Sequence, residues 1–338
     1  MEHVWDLLTF AGEFLIVILG IAALLLVFVA VAARSSQKPD LEIEHLNHRF
    51  EQRARRLRAS WLTAKEKKAE GKELKEKMKA EKTRSGGKPR TYVLDFKGDI
   101  KASATDHLRE EISAILDARE AGDDVVLRLE SPGGMVHGYG LAAAQLMRLK
   151  KAGVPLTICV DKVAASGGYM MACTAERICA AHFAIVGSIG VVAQVPNLHR
   201  LLRKHDVDYK EYTAGEYKRT VSFLGEITTK GEEKFREQLE ETHVLFKSFI
   251  QENRPRVDLA KVATGEHWYG VQARDLALID EVMTSDELLH RLAPDRRLIH
   301  VKFHKKQPMS EKLSGILGQA LRRGLLSSVE ELESRRWP

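Results

Sequence analysis

The stretch Asp124–Gly168 reads DVVLRLESPGGMVHGYGLAAAQLMRLKKAGVPLTICVDKVAASGG, and its punctuation decides the fold. DVVLRLE (124–130) is a short apolar run of the kind a buried strand needs, and Ser131-Pro132-Gly133-Gly134 stops it. Leu141, Leu146 and Leu149 then recur at helical spacing as far as Gly153. PLTICVD (155–161) is a second strand, and it runs into Ala164-Ala165-Ser166-Gly167-Gly168 at the start of another helix. Strand, glycine turn, helix, strand, glycine turn, helix is the grammar of an α/β fold with a largely parallel sheet.

The same grammar extends outward. TYVLDF (91–96) is a strand, followed by a helix to about Glu120 that Ser103 or Thr105 can cap and that turns Leu108, Ile112 and Leu116 to one face. Downstream come IVGSIGVVAQ, a helix around Leu198–His205, and a short strand before the glycine-containing segment that holds Lys218. A long helix from Lys230 to about Glu252 and a strand near LIHVKFH (298–304) complete the pattern.

The two glycine turns carry the chemistry. Both follow strands, where α/β folds bind ligands, and glycine backbones let a substrate approach closely. Ser166 stands among the smallest residues at a helix start, where developing negative charge is favoured. A tetrahedral oxyanion needs N–H donors worth roughly 3–4 kcal/mol each, and Gly134 and Gly167 are the expected donors. A serine nucleophile also needs a base. His137, His182 and His199 lie near the turns, yet none shares its segment with an orienting carboxylate. A lysine serves when burial or crowding removes its proton; composition alone does not single one out. Tyr169, Met170 and Met171 after Ser166 read as helix core, as Trp268 and Tyr269 read as packing residues.

Four segments taken in order are more specific. SPGG (131–134), KVAASGGYMMA (162–172), GSIGV (187–191) and AGEYKR (214–219) together resemble peptidase family S49 of bacteria, in order, spacing and wording. The resemblance spans nearly the whole chain and implies a Clp/crotonase-like ββα superhelix with a Ser–Lys dyad. Carried over by position, it makes Ser166 the nucleophile, Lys218 the general base, and Ser188 the side chain that orients the lysine. The SPGG turn and the N–H after Ser166 become the oxyanion hole. It also implies a homo-oligomeric ring whose substrates are short or unfolded apolar peptides, such as signal-peptide or membrane-protein remnants, with no cofactor and no metal.

The ends of the chain set its surroundings. Phe14–Ala33 is FLIVILGIAALLLVFVAVAA, twenty residues without a charge, enough to span a bilayer as a helix. Its flank MEHVWDLLTF is acidic, which argues for a retained anchor over a cleaved signal peptide. Arg34 and Lys38 follow the span, so the positive-inside tendency puts the body of the chain on the cytoplasmic side of an inner membrane; a periplasmic body is the other option. Residues 49–90 hold 16 Lys and Arg against 6 Glu, a surplus that exceeds the +6 of the entire chain. The basic character thus belongs to one solvated helical stalk and implies no nucleic-acid partner. Cys159, Cys173 and Cys179 form no metal spacing and sit in apolar context, as small buried hydrophobes do. The expected organisation is an anchor (1–38), a charged linker (39–90), a peptidase domain (91–300) and a C-terminal amphipathic tail (301–338). Two other readings compete with the peptidase. A crotonase-like acyl-CoA enzyme would need an acid near the oxyanion hole and no Ser166, and a membrane scaffold would need only the stalk.

Overall fold

The computed structural model describes residues 18–20, 40–83 and 88–304. The expected span at 14–33 lies outside them apart from three helical residues, as does the tail from 305 onward. Among the described residues no helix is long and apolar enough to cross a membrane. Glu42–Lys302 form one compact unit, and strands begin and end at its edges.

In chain order the elements are β1 (Asp40–His45), α1 (Leu46–Arg58), α2 (Ala64–Thr83), β2 (Arg90–Lys97), α3 (Thr105–Ala118), β3 (Asp124–Glu130) and α4 (Val136–Lys151). Next come β4 (Leu156–Val160), β5 (Val163–Ala165), α5 (Gly167–Ala172), β6 (Arg177–Ala180), β7 (Ile185–Gly187), α6 (His199–Lys204) and α7 (Thr229–Asn253). The chain closes with α8 (Leu259–Val262), β8 (His267–Tyr269), α9 (Gly270–Asp275), β9 (Glu281–Val282), α10 (Ser285–Leu292) and β10 (Arg297–His304).

The main sheet has the order β1-β10-β2-β3-β4-β6-β9, and every pairing from β10 to β9 is parallel. Tyr92, Val93 and Leu94, and Val125, Val126 and Leu127, are consecutive buried residues, as strands covered on both faces must be. Alternation sends Val93 and Val126 to one face, where they meet Leu46 of α1 and Leu288 and Leu289 of α10. Helices α3 and α4 pack on each other, and α4 packs on α5. A second sheet, β5-β7-β8, is parallel between β5 and β7 and antiparallel between β7 and β8. It meets the first where Ser131, just past β3, bridges to Ala164 of β5.

The α/β class and parallel sheet are as expected, with four local corrections. Neither Ser103 nor Thr105 caps α3: the Ser103 hydroxyl bonds Asp99 Oδ2 (2.6 Å) and Thr105 donates to the Ala102 carbonyl (2.6 Å), so the preceding loop takes both. Leu141 is 49% exposed, because Tyr139, Ala142 and Ala143 fill the buried face of α4 beside Leu146 and Leu149. No strand precedes Lys218; residues 207–228 run without helix or strand, their tyrosines Tyr209, Tyr212 and Tyr217 exposed. The charged segment is helical as expected, but its first residues, DLEIEH, form β1 at the sheet edge instead.

Candidate active site

Strand β5 ends at Ala165 and α5 begins at Gly167, so Ser166 alone turns the chain between them. It does so at φ 52°, ψ −118°, a combination that L residues rarely hold. Two bonds force it: the Ser166 N–H donates to the Gly187 carbonyl at 2.8 Å, and the Ser166 carbonyl accepts from the Met170 N–H at 3.0 Å. Strand β7 therefore holds the turn from one side and α5 from the other. A sharp strand-to-helix turn thrusts its central side chain out beyond the sheet. Ser166 is half-buried.

The SPGG turn lies directly against this serine. Ser131 is stitched to β5 through its N–H to Val163 O (2.8 Å) and its carbonyl to Ala165 N–H (3.0 Å). Gly133 has φ +88°, and a Cβ there would stand 2.7 Å from Ala165 O and 2.8 Å from both Gly167 N and Ser166 Cβ. Only glycine fits such an approach. The Gly133 N–H is occupied by Ser131 Oγ at 3.1 Å. The N–H groups of Gly134 and Gly167 have no partner among the described residues, the latter as the first donor of a helix.

Ser188 joins the same corner. The register pairs Ala165 with Gly187, so Ser166 and Ser188 each leave a paired strand by one residue at the same end. Ser188 also has a positive φ, 51°, and its N–H donates to Glu266 O at 2.7 Å. The ring of Trp268 packs against Gly187, where a Cβ would come within 2.9 Å of it, which makes Trp268 the packing residue expected.

Lys218 lies in the segment without helix or strand. It is exposed, its N–H reaches only Gly215 O (3.2 Å), and its side chain has no hydrogen bond or ion pair among the described residues. Its neighbours are engaged: Arg219 pairs with Glu211 at 2.9 Å, Glu216 pairs with Lys230, and Lys230 and Lys234 lie over the Tyr217 ring at 5.8 and 5.6 Å. Within one chain, then, the β5–β7 register and the SPGG contacts bring Ser166, Ser188 and the two glycine turns together, while Lys218 lies exposed on the 207–228 segment. His137 and His182 are exposed and His199 half-buried, none with a side-chain hydrogen bond among the described residues. Tyr169 and Met171 are fully buried core, the Tyr169 hydroxyl donating to Leu278 O at 2.9 Å.

Sequence reasoning overlooked the support behind the SPGG turn. Ser131 and Tyr139 are both fully buried, their hydroxyls 2.6 Å apart, and Tyr139 donates to the Asp99 carbonyl at 2.8 Å. Burial pushes the Tyr139 phenol up from its ordinary range, so it stays a proton donor. In sequence, Tyr139 is simply one more residue on the buried face of a helix. The Asp99 carboxylate accepts from the Ser103 N–H at 2.9 Å and from its hydroxyl at 2.6 Å.

Fold and turn geometry together define an α/β protein in which two glycine turns at the carboxyl ends of strands flank a serine held at positive φ. Two family models match: Peptidase family S49 N-terminal over residues 2–146 and Peptidase family S49 over residues 148–298. A probable protease SohB of Haemophilus influenzae is 52% identical over 324 residues, covering 91% of this chain and 92% of that one. A probable protease SohB of Buchnera aphidicola subsp. Schlechtendalia chinensis is 46% identical over 285 residues, 80% of this chain and 92% of its own. The chain belongs to peptidase family S49, with the SohB proteases among its relatives, as the four motifs lead one to expect.

Proposed function

We propose that the chain is a membrane-anchored serine endopeptidase with Ser166 as nucleophile and Lys218 as general base. The observation that carries this is Ser166 itself, held at a strained strand-to-helix turn with Gly133 packed against its Cβ. Strain of this kind persists only where surrounding structure enforces it, and it clusters at active sites. In the reaction Ser166 Oγ attacks the scissile carbonyl carbon while its proton passes to a neutral Lys218 Nζ. The N–H groups of Gly134 and Gly167 take up the oxyanion. The amide nitrogen leaves with the proton from Lys218, giving an acyl-serine. Water, activated by the same lysine, then releases the acid. Ser188, level with Ser166 one residue beyond the last register pair, is suited to accept a hydrogen bond from the lysine and aim it.

A lysine acts as a base only when burial or crowding disfavours its charge. Lys218 is exposed in the single chain, so something must cover it. We infer a homo-oligomeric ring in which the 207–228 segment of one copy covers the Ser166 corner of the next. Exposed apolar side chains along this part of the chain support that reading: Val192 is 82% exposed, Tyr212 90% and Phe223 48%. A ring also excludes folded proteins, so the substrates are short or unfolded apolar peptides, presented at an inner membrane by the segment 14–33. The positive-inside tendency keeps the catalytic body cytoplasmic.

The test is cleavage of an unfolded apolar fluorogenic peptide by the full chain in detergent, beside Ser166→Ala and Lys218→Ala. Both variants are expected to be folded and inactive. Full activity in Ser166→Ala would sink the assignment, and equal cleavage of folded and denatured protein substrates would sink the ring.

A further inference from the structure

The two glycine turns are held together by groups fully buried from solvent. The phenol of Tyr139 has one proton, and the Asp99 carbonyl, 2.8 Å away, can only accept it. The Ser131 hydroxyl, 2.6 Å from the same phenol, must therefore donate to it. Ser131 Oγ is left to accept, and the Gly133 N–H lies 3.1 Å from it. All four groups thus form one directed chain: Gly133 N–H to Ser131 O–H to Tyr139 O–H to Asp99 C=O. Such chains strengthen by mutual polarisation in a dry interior, and Ser131 and Tyr139 are both 0% exposed.

The same tyrosine touches the other glycine turn with its ring. A Cβ on Gly167 would fall 2.4 Å from Tyr139 Cγ, so Gly167 lies directly against the root of the ring. Gly98 packs as closely on the two hydroxyls, where its Cβ would be 2.4 Å from each. The loop after β2 closes the clamp, the Ile100 carbonyl accepting from Met135 N–H at 2.8 Å on the far side of Gly134. One buried side chain therefore braces both turns, the Pro132–Gly133 peptide next to Gly134 through Ser131 and Gly167 through ring contact.

We propose that Tyr139, acting through Ser131, is the positioning residue that sets the separation and aim of the Gly134 and Gly167 N–H groups. This rests on the reading of those groups as the oxyanion hole of Ser166. Donors of this kind act on charge present only in the transition state, so misplacing them slows turnover without loosening the bound substrate. A shift of a fraction of an ångström is enough to matter.

The experiment is steady-state cleavage of the same fluorogenic peptide by the full chain and by Ser166→Ala, Tyr139→Phe, Ser131→Ala and the Tyr139→Phe/Ser131→Ala double variant. Inhibition by a peptide aldehyde, whose adduct places an oxygen in the oxyanion position, is measured alongside. Tyr139→Phe keeps the ring against Gly167 and removes only the hydroxyl. Each single variant is expected to lose roughly tenfold or more in kcat with KM within about twofold, and to bind the aldehyde more weakly by a similar factor. The double variant is expected to be no worse than the weaker single, because both break one chain. A folded Tyr139→Phe with kcat within about twofold of the parent, or a loss confined to KM, overturns the proposal while an inactive Ser166→Ala leaves the peptidase reading standing. Full activity in Ser166→Ala overturns both. Should Tyr139→Phe not fold, Ser131→Ala decides by the same split.

Discussion

At Ser166 function and stability pull in opposite directions. Its φ of 52° is tolerated by glycine and resisted by any residue with a Cβ, at a cost on the order of 1 kcal/mol. Ser166→Gly is therefore expected to be inactive yet more stable than the equally inactive Ser166→Ala by about 1 kcal/mol. Urea midpoints of the two variants check this, and an alanine variant as stable as the glycine one would show that the turn stores no strain. The serine was legible because glycines and alanines crowd round it in the sequence, and the motif SPGG marked its neighbour. Tyr139 was not, since a tyrosine on the apolar face of a helix gives no hint that its hydroxyl ends a chain begun at Gly133. Lys218 had no local signal at all. Only the AGEYKR motif marks it, because an exposed lysine in a segment without helix or strand is what most lysines are.

Among the elements, β2, β3 and β10 share a polar clasp at the surface of the sheet. Asp95 of β2 is in register with Arg128 of β3, which bonds it at 2.6 and 2.8 Å, and His300 of β10 lies 3.0 Å from the same carboxylate. Burial raises the Asp95 pKa, but the bonds from His300 and Arg128 outweigh it and bring it down to about 2. A depressed acid contributes stability above its unfolded value, near 3.8, and that contribution fades as pH falls through about 2. With 42% of the Asp95 side chain exposed, solvent screens the clasp, and its worth is about 1 kcal/mol. Asp95→Asn should cost about that much at pH 7 and almost nothing at pH 2, read from denaturation midpoints at both; an equal cost at both would assign the loss to packing. The buried strands of this sheet were legible because burial on both faces leaves unbroken apolar runs. Strand β1 was not: DLEIEH is half charged and opens a long charged segment, and only pairing at the sheet edge makes it a strand. The strand expected before Lys218 did not form: residues 207–228 pair with no strand among the described residues. Tyr209 and Tyr212 stand three apart and all three tyrosines are exposed, so the segment offers no period-two apolar face to bury.

For the whole molecule the open question is which chain's lysine serves which serine. Ser166 and Ser188 are fixed by strands of the second sheet, so that corner cannot travel. Lys218 sits in a segment without helix or strand, tied down through Arg219–Glu211 and Glu216–Lys230, pairs that are exposed and individually weak. Either this segment folds back over its own Ser166, or it is already shaped to meet a second copy. The ordered partners of its neighbours, together with the apolar side chains displayed along it, favour the second arrangement. Two dead variants then complement each other. A head-to-tail interface is active when the copy facing it with serine carries Lys218→Ala and the copy facing it with lysine carries Ser166→Ala. Random assembly from equal amounts makes about one interface in four of that kind, so mixed subunits should recover about a quarter of parent activity after exchange. Coexpression of the two variants and cleavage of the fluorogenic peptide measure it. Recovery near a quarter fixes the dyad between chains and makes assembly itself the step that covers the lysine and activates the enzyme. No recovery at any ratio, with exchange verified by mass, would mean that each chain closes its own segment over Ser166, and that substrate binding or the membrane must drive the closure.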